Sequence, residues 1–331
     1  MNKNHLWMIV IAVVVVIAVA IGVWRSRGAP RPLTFAEIEQ RAHDNPKDAQ
    51  AQLDWGNALL RAHRDDEAAA ALQTAAGLAP NDPRPLNALA DVALDQRQPM
   101  EALKYLRQSL QIKPDDAAIW RKAGVILQHF NVDAAQQVYT RATQLDPKDA
   151  ISWRQLGMIE RLKKQYALGF QHIQLAAQLN PNDPVTQDML GDTATSQGKY
   201  DVAKAAWDKL LALRPGDPDG LLGSAQVIIQ TDPSPENLDR AGRQIEQAIS
   251  TKPTPYAYLL RGRWNLLENR DKPAIDDLKK ALAMDPSLIT AHSFLSSVYA
   301  RMGQSQLAHS ESRAFQAGLA ALGKSQETPR K

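Results

Sequence analysis

Arg121, Arg154 and Arg161 are the side chains of this sequence best suited to recognition chemistry. A guanidinium presents a planar fork of donors that pairs with a carboxylate through charge-assisted hydrogen bonds. Arg121 and Arg154 lie 33 residues apart, and Arg161 falls two helical turns beyond Arg154. A chain that repeats with about that period brings the three onto one patch, suited to an acidic segment or a free C-terminal carboxylate. Asp91, Asp95, Asp188 and Asp192 flank the patch and would repel a longer acidic chain, which sets register. The same charges also suit an ordinary solvated helix face, and both readings stand at this point.

Other chemistry has little to work with. The chain has no cysteine, so disulfides, thiolate metal sites and cysteine nucleophiles are excluded. Its seven histidines (His5, His43, His63, His129, His172, His292 and His309) never pair at ligand spacing on one helical turn. Gly-rich phosphate loops, GxSxG and HExxH are missing. No enzyme activity, metal or cofactor is expected. The net charge of +3 comes from interleaved Lys, Arg, Asp and Glu, so no nucleic-acid partner is expected either.

Proline punctuates the chain at Pro46, Pro80, Pro114, Pro147, Pro181, Pro215, Pro253 and Pro286, at intervals of 34, 34, 33, 34, 34, 38 and 33 residues. A near-constant period of this size marks one supersecondary unit repeated in a row. Each proline stops a helix. Asp48, Asp82, Asp116, Asp149, Asp183 and Asp217 follow two residues later, as N-caps of the next helix. Pro83, Pro184 and Pro218 then take the first helical position, where a missing N–H costs nothing.

Two helices per repeat must pack closely, and small residues recur where they would cross. Gly56, Ala90, Gly124, Gly157, Gly191, Ala225, Gly262 and Ser296 occupy one register; Ala68, Ala102, Ala135, Gly169, Ala203, Ala241, Ala274 and Ala308 occupy the facing one. Between them run larger apolar residues at helical steps. Leu72, Leu106, Tyr139, Ile173, Trp207, Ile245 and Leu278 belong to the second helix; Trp55, Leu89, Trp120, Trp153, Leu156, Leu190, Leu221 and Leu295 belong to the first. The fold class is therefore all-α.

Ser152-Trp153-Arg154-Gln155-Leu156-Gly157 and Ile119-Trp120…Gly124, with the small-residue pattern of the second helix, resemble the tetratricopeptide repeat family. The resemblance implies a right-handed superhelical solenoid over residues 34–322: a half repeat at 34–48, then repeats at 49–82, 83–116, 117–149, 150–183, 184–217, 218–254, 255–288 and 289–322. The third repeat is one residue short near Phe130-Asn131. The sixth carries four extra residues, placed between its helices at Thr231–Glu236. Ser312 stands where the last repeat should bury a large residue, and residues 323–331 read as a polar tail.

The resemblance also implies that the first helices line a concave groove. Its ligand-facing positions map to Arg121 and His129 in the third repeat, to Arg154, Met158 and Arg161 in the fourth, and to Tyr256, Leu259, Arg263 and Leu266 in the seventh. Asn87, Asp91 and Asp95 of the second repeat and Asp188 and Asp192 of the fifth fall at the same positions. The implied partner is a protein or peptide. A standard carboxylate clamp is not expected, because Leu53, Ala88 and Ala118 stand where polar clamp residues belong.

Residues 6–24 form an uncharged apolar run of 19, enough at 1.5 Å per residue to span a hydrocarbon core of ~30 Å. We read it as a single-pass transmembrane helix after a short tail at 1–5 and before a Pro/Gly-containing linker at 25–33. A cleaved signal peptide ending near Ala18-Val19-Ala20 is the rival. Arg25, Arg27 and Arg31 against Lys3 place the repeats on the cytoplasmic side by the positive-inside rule, with the exported side as the alternative. The expected function is a membrane-anchored scaffold that assembles a membrane-associated complex. The alternative is an accessory factor in envelope enzymology such as cytochrome c maturation, and self-association through the last repeat is a third course.

Overall fold

The computed structural model describes residues 31–327. The expected membrane span at 6–24, the tail before it and most of the linker after it lie outside those residues. Among the described residues no helix is long and apolar enough to cross a membrane. They form seventeen helices and no strand.

The chain divides into two compact units, Met1–Phe130 and Asn131–Lys331. The division falls between the two helices of the third repeat. In the first unit, α1 (Phe35–Asp44) is the expected half repeat. The pairs α2 (Ala49–Arg61) with α3 (Asp65–Leu78) and α4 (Pro83–Asp95) with α5 (Pro99–Ile112) follow, then α6 (Ala117–Leu127). The second unit starts with α7 (Val132–Leu145). Its pairs are α8 (Ala150–Leu162) with α9 (Tyr166–Leu179), α10 (Pro184–Ser196) with α11 (Tyr200–Leu213), α12 (Pro218–Thr231) with α13 (Pro235–Thr251), α14 (Pro255–Leu267) with α15 (Asp271–Met284), and α16 (Ile289–Arg301) with α17 (Ser305–Glu327).

Helix boundaries follow the local chemistry. Thr34 and Glu37 close a capping box on α1. Asp48, Asp82, Asp116, Asp149, Asp183 and Asp217 each accept backbone N–H bonds at the start of a first helix. Inside a repeat the turn uses a left-handed residue: His63, Arg97, Lys164, Gly198, Asn269 and Gly303 have φ between 55° and 75°. Arg64 N–H then reaches back to Leu59 O, a Schellman-type closure. No such residue occurs in the third or sixth repeat, the two whose lengths depart from 34.

In each unit the core is built on second-helix residues. Leu72, Leu106, Tyr139, Ile173, Ile245 and Leu278 are fully buried, and Trp207 nearly so. At about 1.5–3 kcal/mol per buried large side chain, these residues outweigh the surface ion pairs. Small first-helix residues let them in. A Cβ on Gly157 would lie 2.6 Å from Ile173 Cγ1 and 2.8 Å from Gly169 O, so the expected glycine crossing is real. Ser296 Oγ marks the same crossing in the last repeat, donating to Ala308 O at 2.9 Å.

Three expectations need correction. The four extra residues of the sixth repeat do not form a longer loop. They lengthen its helices, which reach 14 and 17 residues, because Pro235 is tolerated as the first residue of α13. Trp55, Trp120 and Trp153 are half-exposed rather than buried. The indoles of Trp120 and Trp153 donate to Pro114 O and Pro147 O at 2.8 and 3.0 Å, so these rings lie along the turn before the helix. Gln187 does the same toward Pro181 O at 3.1 Å. Finally, α17 continues past residue 322 to Glu327, into the segment read as a polar tail.

Candidate functional site

The second compact unit carries a groove lined by the first helices of successive repeats. One cleft of about 460 Å³ is bounded by Met158 and Arg161 of α8, Asp188, Met189 and Asp192 of α10, and Asp219, Leu222, Gly223 and Gln226 of α12, with Trp207 and Tyr256 completing it. A second of about 220 Å³ is bounded by Gln226, Tyr256, Leu259, Leu260, Arg263, Thr290 and Phe294. Gln226 and Tyr256 line both, so the two clefts adjoin. Trp207 sits buried beneath Gly191 and Gly223, each too close to its indole to carry a Cβ. Its Nε1 donates to Thr195 Oγ1 at 3.2 Å.

The expected basic centre is closed off by its neighbours. Arg154 Nη1 pairs with Asp183, the N-cap of α10, and the arginine side chain is only 17% exposed. Burial raises the Asp183 carboxyl, but the Thr186 hydroxyl and the Arg154 charge overcome it and hold the acid below its usual range. Arg161 Nη2 pairs with Asp192 at 2.6 Å. The physical reason is the repeat itself: a residue about 30 positions on stands one repeat over and faces back. Lys163–Asp133 at 2.7 Å and Arg301–Asp271 are further ties of this kind. Arg154 is thus a joint between repeats and not a free anion receptor. Arg121 lies half-buried on α6 and His129 is exposed just after it, both in the first unit. There Asp91 receives Lys122 at 2.6 Å.

Of the residues read from the sequence, Met158, Arg161, Tyr256, Leu259 and Arg263 line the groove of the second unit. Arg263 Nη2 donates to Gln230 Oε1 at 2.7 Å. Asp188 and Asp192 line it as well, as part of its wall rather than as flanking repulsion. Asp219, Gln226 and Thr290 were missed, although the positional rule that found Tyr256 reaches them when applied to the sixth and eighth repeats. Met189, Trp207 and Phe294 lie off that rule, and only packing brings them in.

Electrostatics single out Asp188. Its pKa is raised from 3.8 to about 6, first by burial and then by the negative charges of Asp219, Asp217 and Asp192, with Lys252 opposing. Asp192 has Arg161, and Asp219 has Lys252 at 3.4 Å. Asp188 makes no ion pair among the described residues. Packing against the groove wall raises the Tyr256 phenol, opposed by Arg263 and reinforced by Asp192, while the side chain stays 38% exposed. Among the described residues no group of three or more His, Asp or Glu side chains is placed to hold a metal.

Paired helices stacked in register, with a groove made by first helices, define a helical repeat protein of the interaction-scaffold class. A tetratricopeptide repeat family model matches residues 36–83, 87–130, 127–184 and 189–231, more than half of the sequence, and the chain belongs to the tetratricopeptide repeat family. Proteins of this family serve as protein-interaction scaffolds. Over 76 residues, 23% of this chain, the sequence is 40% identical to cellulose synthase 2 operon protein C of Komagataeibacter xylinus; the match spans 6% of that protein. The fold is similar to that of PilF from Pseudomonas aeruginosa, at 21% identity and a TM-score of 0.54, over 62% of this chain and 92% of PilF. It is also similar to the C-terminal part of a TPR repeat-containing protein from Cytophaga hutchinsonii, at 19% identity and a TM-score of 0.54, over 73% of this chain and 99% of that one.

Proposed function

We propose that this protein is a membrane-anchored scaffold that holds a segment of a partner protein in the groove of its second compact unit, for assembly of a membrane-associated complex. The supporting observation is the pair of adjoining clefts along the first helices of the fourth to eighth repeats, with apolar walls at Met158, Met189, Leu222, Leu259 and Phe294 and a few polar groups between them. An extended segment laid across those helices meets one repeat after another, the mode to which a stacked array lends itself. The uncharged run at 6–24 supplies the anchor, and the arginines after it favour repeats on the cytoplasmic side.

The test is site-specific photo-crosslinking of the full chain in its own membrane. A crosslinker at Tyr256 or Leu259 is expected to trap a partner that one at Thr140, exposed on the second helix α7 and away from both clefts, does not. Trapping from Thr140 alone would move the binding surface off the groove. Recovery of the chain in the soluble fraction would remove the anchor while leaving the groove reading in place.

A further inference from the structure

The groove is chemically uneven along its length. At the end nearer the fourth repeat, Asp188, Asp192, Asp219 and the helix cap Asp217 face two cations, Arg161 and Lys252. Those cations are already committed to Asp192 and Asp219. Asp188 is left with a carboxylate that burial and three like charges make costly to ionise, in a cleft whose apolar walls include Met158, Met189 and Leu222. At the far end no carboxylate among the described residues lines the groove, and the polar groups are Gln226, Arg263 and Thr290. Leu259, Leu260 and Phe294 bound a smaller cleft, with Tyr256 between the two.

We propose that this groove selects partner segments that set a Lys or Arg side chain against Asp188 and an apolar side chain against Leu259 and Phe294. The proposal rests on the groove reading above and adds the chemistry of the partner. A long cationic side chain fits twice over: its charged head answers the unpaired carboxylate, and its alkyl stem lies along Met158, Met189 and Leu222. An acidic residue in the same place meets four carboxylates. The choice is local, because the whole chain carries a net charge of +3 and would by itself disfavour a cationic peptide. The groups facing Asp188 and the neighbouring wall are Arg161, Asp192, Asp217, Asp219, Lys252, Tyr256 and Arg263. Asp188 is raised toward neutrality, so cation capture weakens as pH falls through about 6.

The experiment uses the full chain in detergent and three labelled peptides of equal length, in which Leu alternates with Arg, Gln or Glu, read by fluorescence anisotropy. The Arg–Leu peptide is expected to bind about tenfold more tightly than the Gln–Leu peptide, and the Glu–Leu peptide most weakly. Asp188→Asn should erase the advantage of Arg over Gln. Asp201→Asn, on the outer helix α11, should leave it, which separates a local effect from a change in overall charge. Far-UV circular dichroism of both variants checks that the fold is intact. Glu–Leu binding as tight as Arg–Leu, or an Arg preference unchanged in Asp188→Asn, would overturn the cationic selection and leave the groove reading standing. Failure of all three peptides to bind, together with no crosslink from Tyr256 or Leu259, would overturn both.

Discussion

Asp188→Asn should make the protein more stable at neutral pH, contrary to the usual result of changing a half-buried polar residue. The carboxyl ionises at about 6 in the fold against an ordinary 3.8. A tenfold change in proton affinity is worth about 1.4 kcal/mol, so the ionised group costs the folded state up to about 3 kcal/mol. Water in the open groove screens this to roughly half. Because the folded pKa is the higher one, the stabilising effect of the bound proton is complete below 3.8 and is lost as pH rises through about 6. At about pH 8 the Asn variant should therefore exceed wild type by about 1.5 kcal/mol, and at about pH 4 the gap should fall below about 0.5 kcal/mol. Urea unfolding followed by far-UV circular dichroism at the two pH values measures it. A variant less stable than wild type at the higher pH would mean that Asp188 has a favourable partner in the fold, and the reasoning from an unanswered charge would fail.

Gly157→Val should cost at least ~3 kcal/mol, because the new side chain meets the Gly169 carbonyl, a backbone atom with little room to move. Gly216→Ala should cost about 1 kcal/mol, since Gly216 has φ +86° but only the end of Gln247 nearby; equal melting temperatures for the two variants would misplace the crossing. Arg154→Ser should destabilise by about 1–3 kcal/mol, because it leaves the half-buried Asp183 without its cation. Arg161→Ser, whose partner Asp192 is 59% exposed, should change stability by less than about 1 kcal/mol. Similar losses for both would show that the two arginines play the same part.

Much of the fold was legible in the residues. The proline marks, the Asp caps two residues later and the small residues at the crossings are local requirements of short helices that must stop, start and approach closely. Each of them acts within one repeat or across one turn. That is why the buried second-helix residues from Leu72 to Leu278 and the Gly157–Gly169 crossing stand where the sequence places them. The same locality made the sixth repeat misleading. Four extra residues look like a loop, and only the stack shows them taken up as added helix.

The site divides in the same way. Position within the repeat was enough to put Met158, Tyr256, Leu259 and Arg263 on first helices of the second unit. It could not say whether Arg154 was free, because its partner Asp183 lies 29 residues away and meets it only when two repeats stack. Nor could it say that Asp188 would be the unanswered charge. That depended on Arg161 closing on Asp192 and Lys252 on Asp219, two contacts between residues more than 30 positions apart. Helix, turn and crossing are decided by neighbours in the chain, so the sequence alone determines them. Charge balance in the groove is decided by which side chains reach each other across repeats, and only the packed structure determines that.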